Sequence, residues 1–243
     1  MLADKISITP QSGRLDPKIH YPSTLKLKLV CFIAKNLPLW RDDTDRPQVD
    51  GETKLTEYLC DYLNDAAYNS DDWSHIKFQI EASDEVCANR RIDLVPKPRG
   101  TIVIANQPYC RYAMLFPIEC KRLPTPKENN RDEREYVITK NKTTGGIQRF
   151  KFGYHGSVHK FAAMIAYVQD QTCSHWLSQV NSWIQDLAAG PDLLWTESDI
   201  LQLLNDNLET GVGIFKSEHQ RTGGLEKCDL LHLWIEMRKS SRP

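Results

Sequence analysis

The 243-residue chain carries 31 lysines and arginines against 32 aspartates and glutamates, a formal net charge of −1, and is 40% hydrophobic and 26% charged. Those proportions exclude a largely disordered chain and a globally basic nucleic-acid binder, so any nucleic-acid surface has to be local. The length fits a single domain spanning 1–243 with a sizeable core.

The cysteines Cys31, Cys60, Cys87, Cys110, Cys120, Cys173 and Cys228 are odd in number, widely spaced and never arranged as CxxC. This argues against a disulfide framework or a cysteine zinc site and for a reducing, cytoplasmic setting. The first residues have no apolar run of the signal-peptide kind, and the stretch from Leu25 to Leu37 is interrupted by Lys26, Lys28 and Lys35. No membrane partner is expected.

Along the chain, residues 1–23 read as an irregular arm because of Pro10, Pro17 and Pro22. Leu25 to Ala34 fits a strand by the alternation of Leu25, Leu27 and Leu29 with lysines, and a helix by Leu25, Leu29, Phe32 and Ile33. A helix follows, with Leu55, Leu59, Tyr62 and Leu63 at helical spacing, Asp50 as its cap and Glu52 on the side of the apolar stripe. The alternating segment IKFQIEAS predicts a half-buried strand, RRIDLVPKP a second, GTIVIAN an inserted hairpin arm, and MLFPIECKRL a further strand. Pro124 to Lys142 is polar and predicts a surface loop. The apolar positions Val158, Phe161, Ala162, Ile165 and Val168 predict a helix from Ser157 to Gln169.

In the last third, Trp176, Leu177, Val180, Trp183, Ile184 and Leu187 form a wide helical stripe. Thr196 and Asp199 make a capping-box pattern that predicts a helix over ESDILQLLNDNL. GIFKSEHQR and CDLLHLWIEMR predict two final strands about a Gly223-Gly224 turn. The fold class is therefore α/β: a mixed central sheet flanked by helices, with a core over about 45–170 and a C-terminal α/β elaboration over 171–243.

The chemistry concentrates on two strands. In RIDLV, Asp93 points away from Ile92 and Leu94; in PIECKRL, Glu119 and Lys121 share one face while Ile118 and Cys120 share the other. Carboxylates on adjacent strands suit a hard divalent ion such as Mg2+ or Mn2+, which prefers oxygen ligands and leaves room for water and a phosphate. A lysine on the same face can orient or deprotonate a water. Without function, the same residues would be an ordinary Glu–Lys neighbour pair on a solvent-facing sheet edge.

The succession of Glu52 on a helix, IKFQIEAS, RRIDLV and PIECKRL resembles the core of the PD-(D/E)XK, or restriction-endonuclease-like, nuclease superfamily over roughly residues 50–170. The resemblance implies metal-dependent phosphodiester hydrolysis, of DNA rather than RNA, in prokaryotic restriction or anti-phage defence. It implies that Asp93, Glu119 and the Cys120 carbonyl bind metal, that Lys121 positions water, that Glu52 completes the acidic set, and that Gln148 lies near the site. A homodimer or a partner protein of a defence system also follows from it. This chain departs from the pattern in having Ile92 where a proline often precedes the aspartate, and in a long interval between Asp93 and Glu119.

In GGIQRFKFGYHG, Arg149 and Lys151 are candidate phosphate contacts and Phe150, Phe152 and Tyr154 candidate stacking groups; the bland alternative is a junction whose aromatics pack. His155 and His159 lack the glutamate of HExxH and read as surface or capping residues, while His219 and His232 read as structural histidines. The second functional reading is a catalytically silent nucleic-acid-binding or assembly subunit.

Overall fold

The computed structural model describes residues 22–104, 106–127, 131–140, 142–191, 194–207 and 210–237. Four helices are present in them: α1 (Pro22–Arg41), α2 (Glu52–Tyr68), α3 (Gly146–Lys151) and α4 (Cys173–Ala188). The strands are β1 (Ile76–Ser83), β2 (Arg91–Pro98), β3 (Ile102–Ile104), β4 (Gln107–Tyr109), β5 (Ile118–Leu123), β6 (Phe161–Val168), β7 (Gln202–Asn207), β8 (Val212–His219) and β9 (Cys228–Glu236). Seven of them form one sheet in the order β1-β2-β5-β6-β9-β8-β7, and β3 pairs with β4 as a separate hairpin. The β5–β6 and β6–β9 pairs are parallel and the outer pairs antiparallel, so the sheet is mixed. No helix among the described residues is long and apolar enough to cross a membrane.

The ambiguous stretch after Leu25 is helical. Leu29, Val30, Ile33, Leu37 and Trp40 of α1 are buried at helical spacing and join Leu55, Leu59 and Leu63 of α2 in a core on one face of the sheet. On the other face, Trp176, Val180, Trp183 and Ile184 of α4 cover Ala162, Met164 and Ala166 of β6 and Trp234 of β9. The two faces together make a helix–sheet–helix sandwich. At the start of α2 the cap is Gly51, with no side-chain bond, and not Asp50. The Asp50 carbonyl instead accepts from Arg122 (2.9 Å) and Gln169 (2.8 Å), tying the helix start to the sheet.

Two predicted helices are strands. The stretch from Phe161 to Val168 is β6, and every residue after Phe161 in it is buried. A strand sandwiched between two helical layers is apolar at all positions, and such a run contains a helical spacing by accident. Beyond Thr196 the capping box does form, but it closes only a 3-10 turn over Glu197–Asp199. Asp199 is drawn fully into the core, and the chain then pairs as β7 along β8. The predicted surface loop after Pro124 is also more than surface, because Tyr136 and Val137 within it are fully buried.

The C-terminal third completes the central sheet and is not an appendage to a core ending near residue 170: β9 is registered with β6 along eight residue pairs, from Phe161↔Asp229 to Val168↔Glu236. α1 belongs to the same body, since Arg41 donates to the carbonyls of Thr210 (2.7 Å) and Glu236 (3.1 Å). The β3–β4 hairpin supplies the insertion between Asp93 and Glu119. The predicted arm lies almost wholly, and Arg238-Lys239 wholly, outside the described residues.

Candidate active site

The site begins with a fork in the sheet. β2 and β5 share a single registered pair, Leu94↔Ile118, and then separate. Backbone N–H groups of β5 that would have met β2 carbonyls need other acceptors. Side-chain carboxylates provide them: Asp93 Oδ2 accepts from the Cys120 N–H at 2.7 Å and Glu52 Oε2 from the Arg122 N–H at 3.1 Å. The acids are thus fixed in the fork by the backbone of β5, the strand that carries Glu119 and Lys121.

Opposite Asp93, the β1–β2 ladder is interrupted without a change of register. Ile80 pairs with Leu94 and Ala82 with Ile92, while Glu81 between them takes φ +49°, a left-handed conformation rare for a non-glycine residue. Glu81 joins Glu52, Thr53, Thr56, Ile80 and Asp93 around a cavity of about 20 Å³, the space of about one water. Strain of this kind gathers at functional sites.

Lys121 sits at the centre. Its ammonium lies 2.9 Å from Glu119 Oε1, 3.3 Å from Glu52 Oε1 and 3.9 Å from Asp93 Oδ2, and it donates to the Cys120 carbonyl at 3.0 Å. Burial disfavours its charge, but the three carboxylates outweigh that and hold its pKa above the ordinary lysine value. Glu119 is fully buried: Oε1 accepts from Lys121 and Arg149, and Oε2 from His155 Nδ1 at 2.9 Å. Burial would raise its pKa, but Lys121, His155 and Arg149 together hold it below the usual carboxylate range. Asp93 moves the other way. Burial and then the charge of Glu119 push its carboxyl up to about 7, against Lys121 and the Cys120 N–H.

Of the predicted residues, Glu52, Asp93, Glu119, Cys120 and Lys121 therefore come together, and Arg149 joins them. Gln148 and Lys151 do not. Gln148 is buried, and its Oε1 accepts from the N–H groups of Thr139 and Gly145 (both 3.2 Å), which makes it a clasp on the loop before α3. Lys151 is fully buried, bonded to Asp199 at 2.6 Å and set against the Trp195 ring at 4.9 Å, so it is not a phosphate contact. The helical turn explains the split: Arg149 and Lys151 lie about 200° apart around α3 and face opposite ways. Phe150 is core; Phe152 and Tyr154 are half-buried and stack on each other at 5.8 Å.

His155, read from sequence as a surface residue, is buried against Glu119. Gly156 makes that approach possible: it has φ +57°, a side chain there would strike Pro117, and its N–H donates to Asp84 Oδ2 at 2.9 Å. No spacing pattern signals such a tertiary contact. His159, also read as a surface residue, is mostly covered, with its side chain 10% exposed and paired with Glu85 at 2.7 Å. His219 and His232 are fully buried in a separate network, as structural histidines are.

Beside Asp93 lies an open cavity of about 490 Å³ whose walls include Arg90, Arg91, Arg149, Thr143, Tyr154 and His155. The Arg90 guanidinium sits 4.5 Å over the Tyr154 ring, whereas Arg91 is exposed and bonds Ser83 Oγ. The donor set in the fork, carboxylates plus the Cys120 carbonyl, is the chemistry that Mg2+ or Mn2+ selects. Among the described residues, no three acidic, histidine or cysteine groups are gathered as a ready coordination shell. No family model, curated protein or solved structure matches the chain.

Proposed function

We propose that this chain is a divalent-metal-dependent nuclease of the PD-(D/E)XK type, cleaving phosphodiester bonds in nucleic acid, DNA before RNA. The observation that carries this reading is the fork: Asp93 and Glu52 bond the freed backbone of the strand bearing Glu119 and Lys121, at the rim of an arginine-lined cavity. Asp93, Glu119 and the Cys120 carbonyl would hold the ion. When bound, Mg2+ or Mn2+ supplies a water of lowered pKa and neutralises charge growing on the phosphoryl oxygens. Lys121, kept charged by its three acids, orients the attacking water by donation and stabilises developing negative charge. Arg91 and Arg149 offer the cavity's guanidinium groups to substrate phosphates. The resemblance extends this reading to restriction or anti-phage defence in a cytoplasm, acting as a dimer or with a defence partner.

A specific observation favours the second reading, a silent nucleic-acid-binding or assembly subunit: both Glu119 oxygens are already occupied by protein groups. Incubation of supercoiled DNA, linear DNA, single-stranded DNA and RNA with Mg2+ or Mn2+ separates the two. The nuclease reading expects metal-dependent cleavage by the wild type and its loss in Lys121→Ala. Retained binding with no cleavage under any of these conditions favours the silent subunit.

A further inference from the structure

We propose, building on the fork as a metal-dependent nuclease site, that Arg149 and His155 form a latch on Glu119, and that an anionic phosphate group entering the arginine-lined cavity opens it, so that phosphate and divalent ion bind cooperatively. Glu119 has no solvent exposure, and each of its oxygens accepts from a protein donor. A carboxylate held in this way cannot turn toward an ion without giving up a partner. Lys121 cannot leave, because it is buried on the same strand and shared among Glu119, Glu52 and Asp93.

Arg149 has a way out. Its side chain is 21% exposed, it projects from the six-residue helix α3, and it lines the cavity with Arg90 and Arg91. A guanidinium binds phosphate and carboxylate with the same forked geometry, so a phosphate in the cavity competes with Glu119 for Arg149. Arg91 is exposed on the same wall and adds to the pull on the anion, while Arg90 is anchored on Tyr154. Once Arg149 swings to the phosphate, Glu119 Oε1 keeps only Lys121 and is free to ligate.

Fixing α3 is a condition of such a latch. Its first turn is clamped by N–H bonds from Gly146 to the Glu135 carbonyl (2.9 Å), Ile147 to Tyr136 (3.1 Å) and Gln148 to Val137 (2.9 Å). Gly146 itself leaves no room for a side chain, which would strike Met164 and lie 2.8 Å from the Tyr136 carbonyl. The helix therefore stays in place and the Arg149 side chain does the moving. Coupling between two ligands is reciprocal, so the ion tightens phosphate binding by the same factor.

The test is Mn2+ binding to the full chain, read from the electron-spin-resonance signal of free Mn2+, with and without sulfate as the anion probe and with ionic strength held constant by chloride. Wild type, Arg149→Ala and Asp93→Ala are compared, each checked for folding by circular dichroism; Arg149→Met, which keeps the aliphatic stem, replaces Arg149→Ala if the latter does not fold. The latch predicts that sulfate tightens Mn2+ binding to the wild type by about fivefold or more. It predicts that Arg149→Ala binds Mn2+ without sulfate as tightly as the wild type does with it, and no longer responds to sulfate. Binding that depends on Asp93 but ignores sulfate in the wild type, or that is unchanged or weaker in Arg149→Ala, overturns the latch and leaves the metal site standing. A sulfate response that persists in Arg149→Ala also overturns it. Mn2+ binding that is absent throughout, or unaffected by Asp93→Ala, removes the nuclease site and the latch with it.

Discussion

Two buried polar clusters flank α3, and they are built on opposite principles. One is the fork around Glu119, reached by Arg149; the other is a chain of bonds ending on Asp199, reached by Lys151 two residues later. In the second, hydrogen positions follow from chemistry. Trp234 Nε1–H can only donate, to the Tyr136 hydroxyl (2.8 Å), which then donates to His232 Nδ1 (2.7 Å). His232 Nε2–H donates to Ser217 Oγ (2.7 Å), Ser217 to His219 Nε2 (2.6 Å), and His219 Nδ1–H to Asp199 (2.5 Å), which also takes Lys151 (2.6 Å). Every group along the chain is satisfied with both imidazoles neutral. Burial, outweighing Asp199, lowers the pKa of His219; burial, reinforced by His219, lowers that of His232. The order of Asp199, His219 and Ser217 resembles a hydrolase triad, yet Ser217 is locked between two histidines inside the core. The fork, by contrast, sets Glu52, Glu81 and Asp93 at the edge of open space with Glu119 buried behind them, and leaves Asp93 pushed up to about 7. A satisfied network holds a fold together, whereas an acid of raised pKa beside a cavity marks a candidate functional site.

The contrast can be broken by substitution, and the largest effect belongs to the fork. Lys121→Ala should lower metal-dependent cleavage by roughly 10²–10³-fold, the usual size of a lost preorganised charged donor, measured as single-turnover rate. Asp199→Ala should strand Lys151 and cost about 3–5 kcal/mol in urea unfolding, as breaking a buried ion pair does. Ser217→Ala should cost about 1–3 kcal/mol by leaving His232 Nε2–H without its acceptor, with the cleavage rate unchanged once folded.

Acidification sharpens the comparison further. The folded pKa values of His219 and His232 lie below the free-imidazole value of about 6.5. The unfolded chain therefore takes up protons first, so their contribution is fully present above about pH 6.5 and is lost as pH falls from there through the depressed folded values. Asp93, pushed up to about 7 in the fold, takes up a proton in the folded state over the same range and opposes this loss. In an Asp93→Asn background the unfolding temperature should therefore drop between pH 7.5 and 5.5, and adding His219→Gln and His232→Gln should flatten that drop while lowering stability at neutral pH. The smallest effect is Arg91→Ala, which should weaken nucleic-acid binding alike across sequences and reduce the salt slope by about one unit.

Much of this was legible in the sequence, and the failures have physical causes. Strict alternation in IKFQIEAS gave β1 because one of its faces is partly open, and RIDLV with IECK placed Asp93, Glu119 and Lys121 by strand parity alone. β6 carries a helical spacing in sequence because burial on both faces erases the period that distinguishes strand from helix. The Thr196 box announced a helix that the pull of Lys151 and His219 on Asp199 cut to one turn. His155 and Glu81 enter the site through a glycine-allowed approach to Pro117 and a left-handed residue opposite Asp93, tertiary events without a local signature. Lys151 looked like a phosphate contact because charge is visible in a sequence and helical facing in a six-residue helix is not.

The most direct test of the account runs the two clusters side by side: Mg2+- and Mn2+-dependent cleavage of DNA and RNA by wild type, Glu119→Gln and Ser217→Ala, each first shown to be folded. The account predicts cleavage by wild type and Ser217→Ala and none by Glu119→Gln, whose shape is kept but whose charge is gone. Cleavage that survives in Glu119→Gln, or that disappears only in Ser217→Ala, would contradict it and move the chemistry from the fork to the other side of α3.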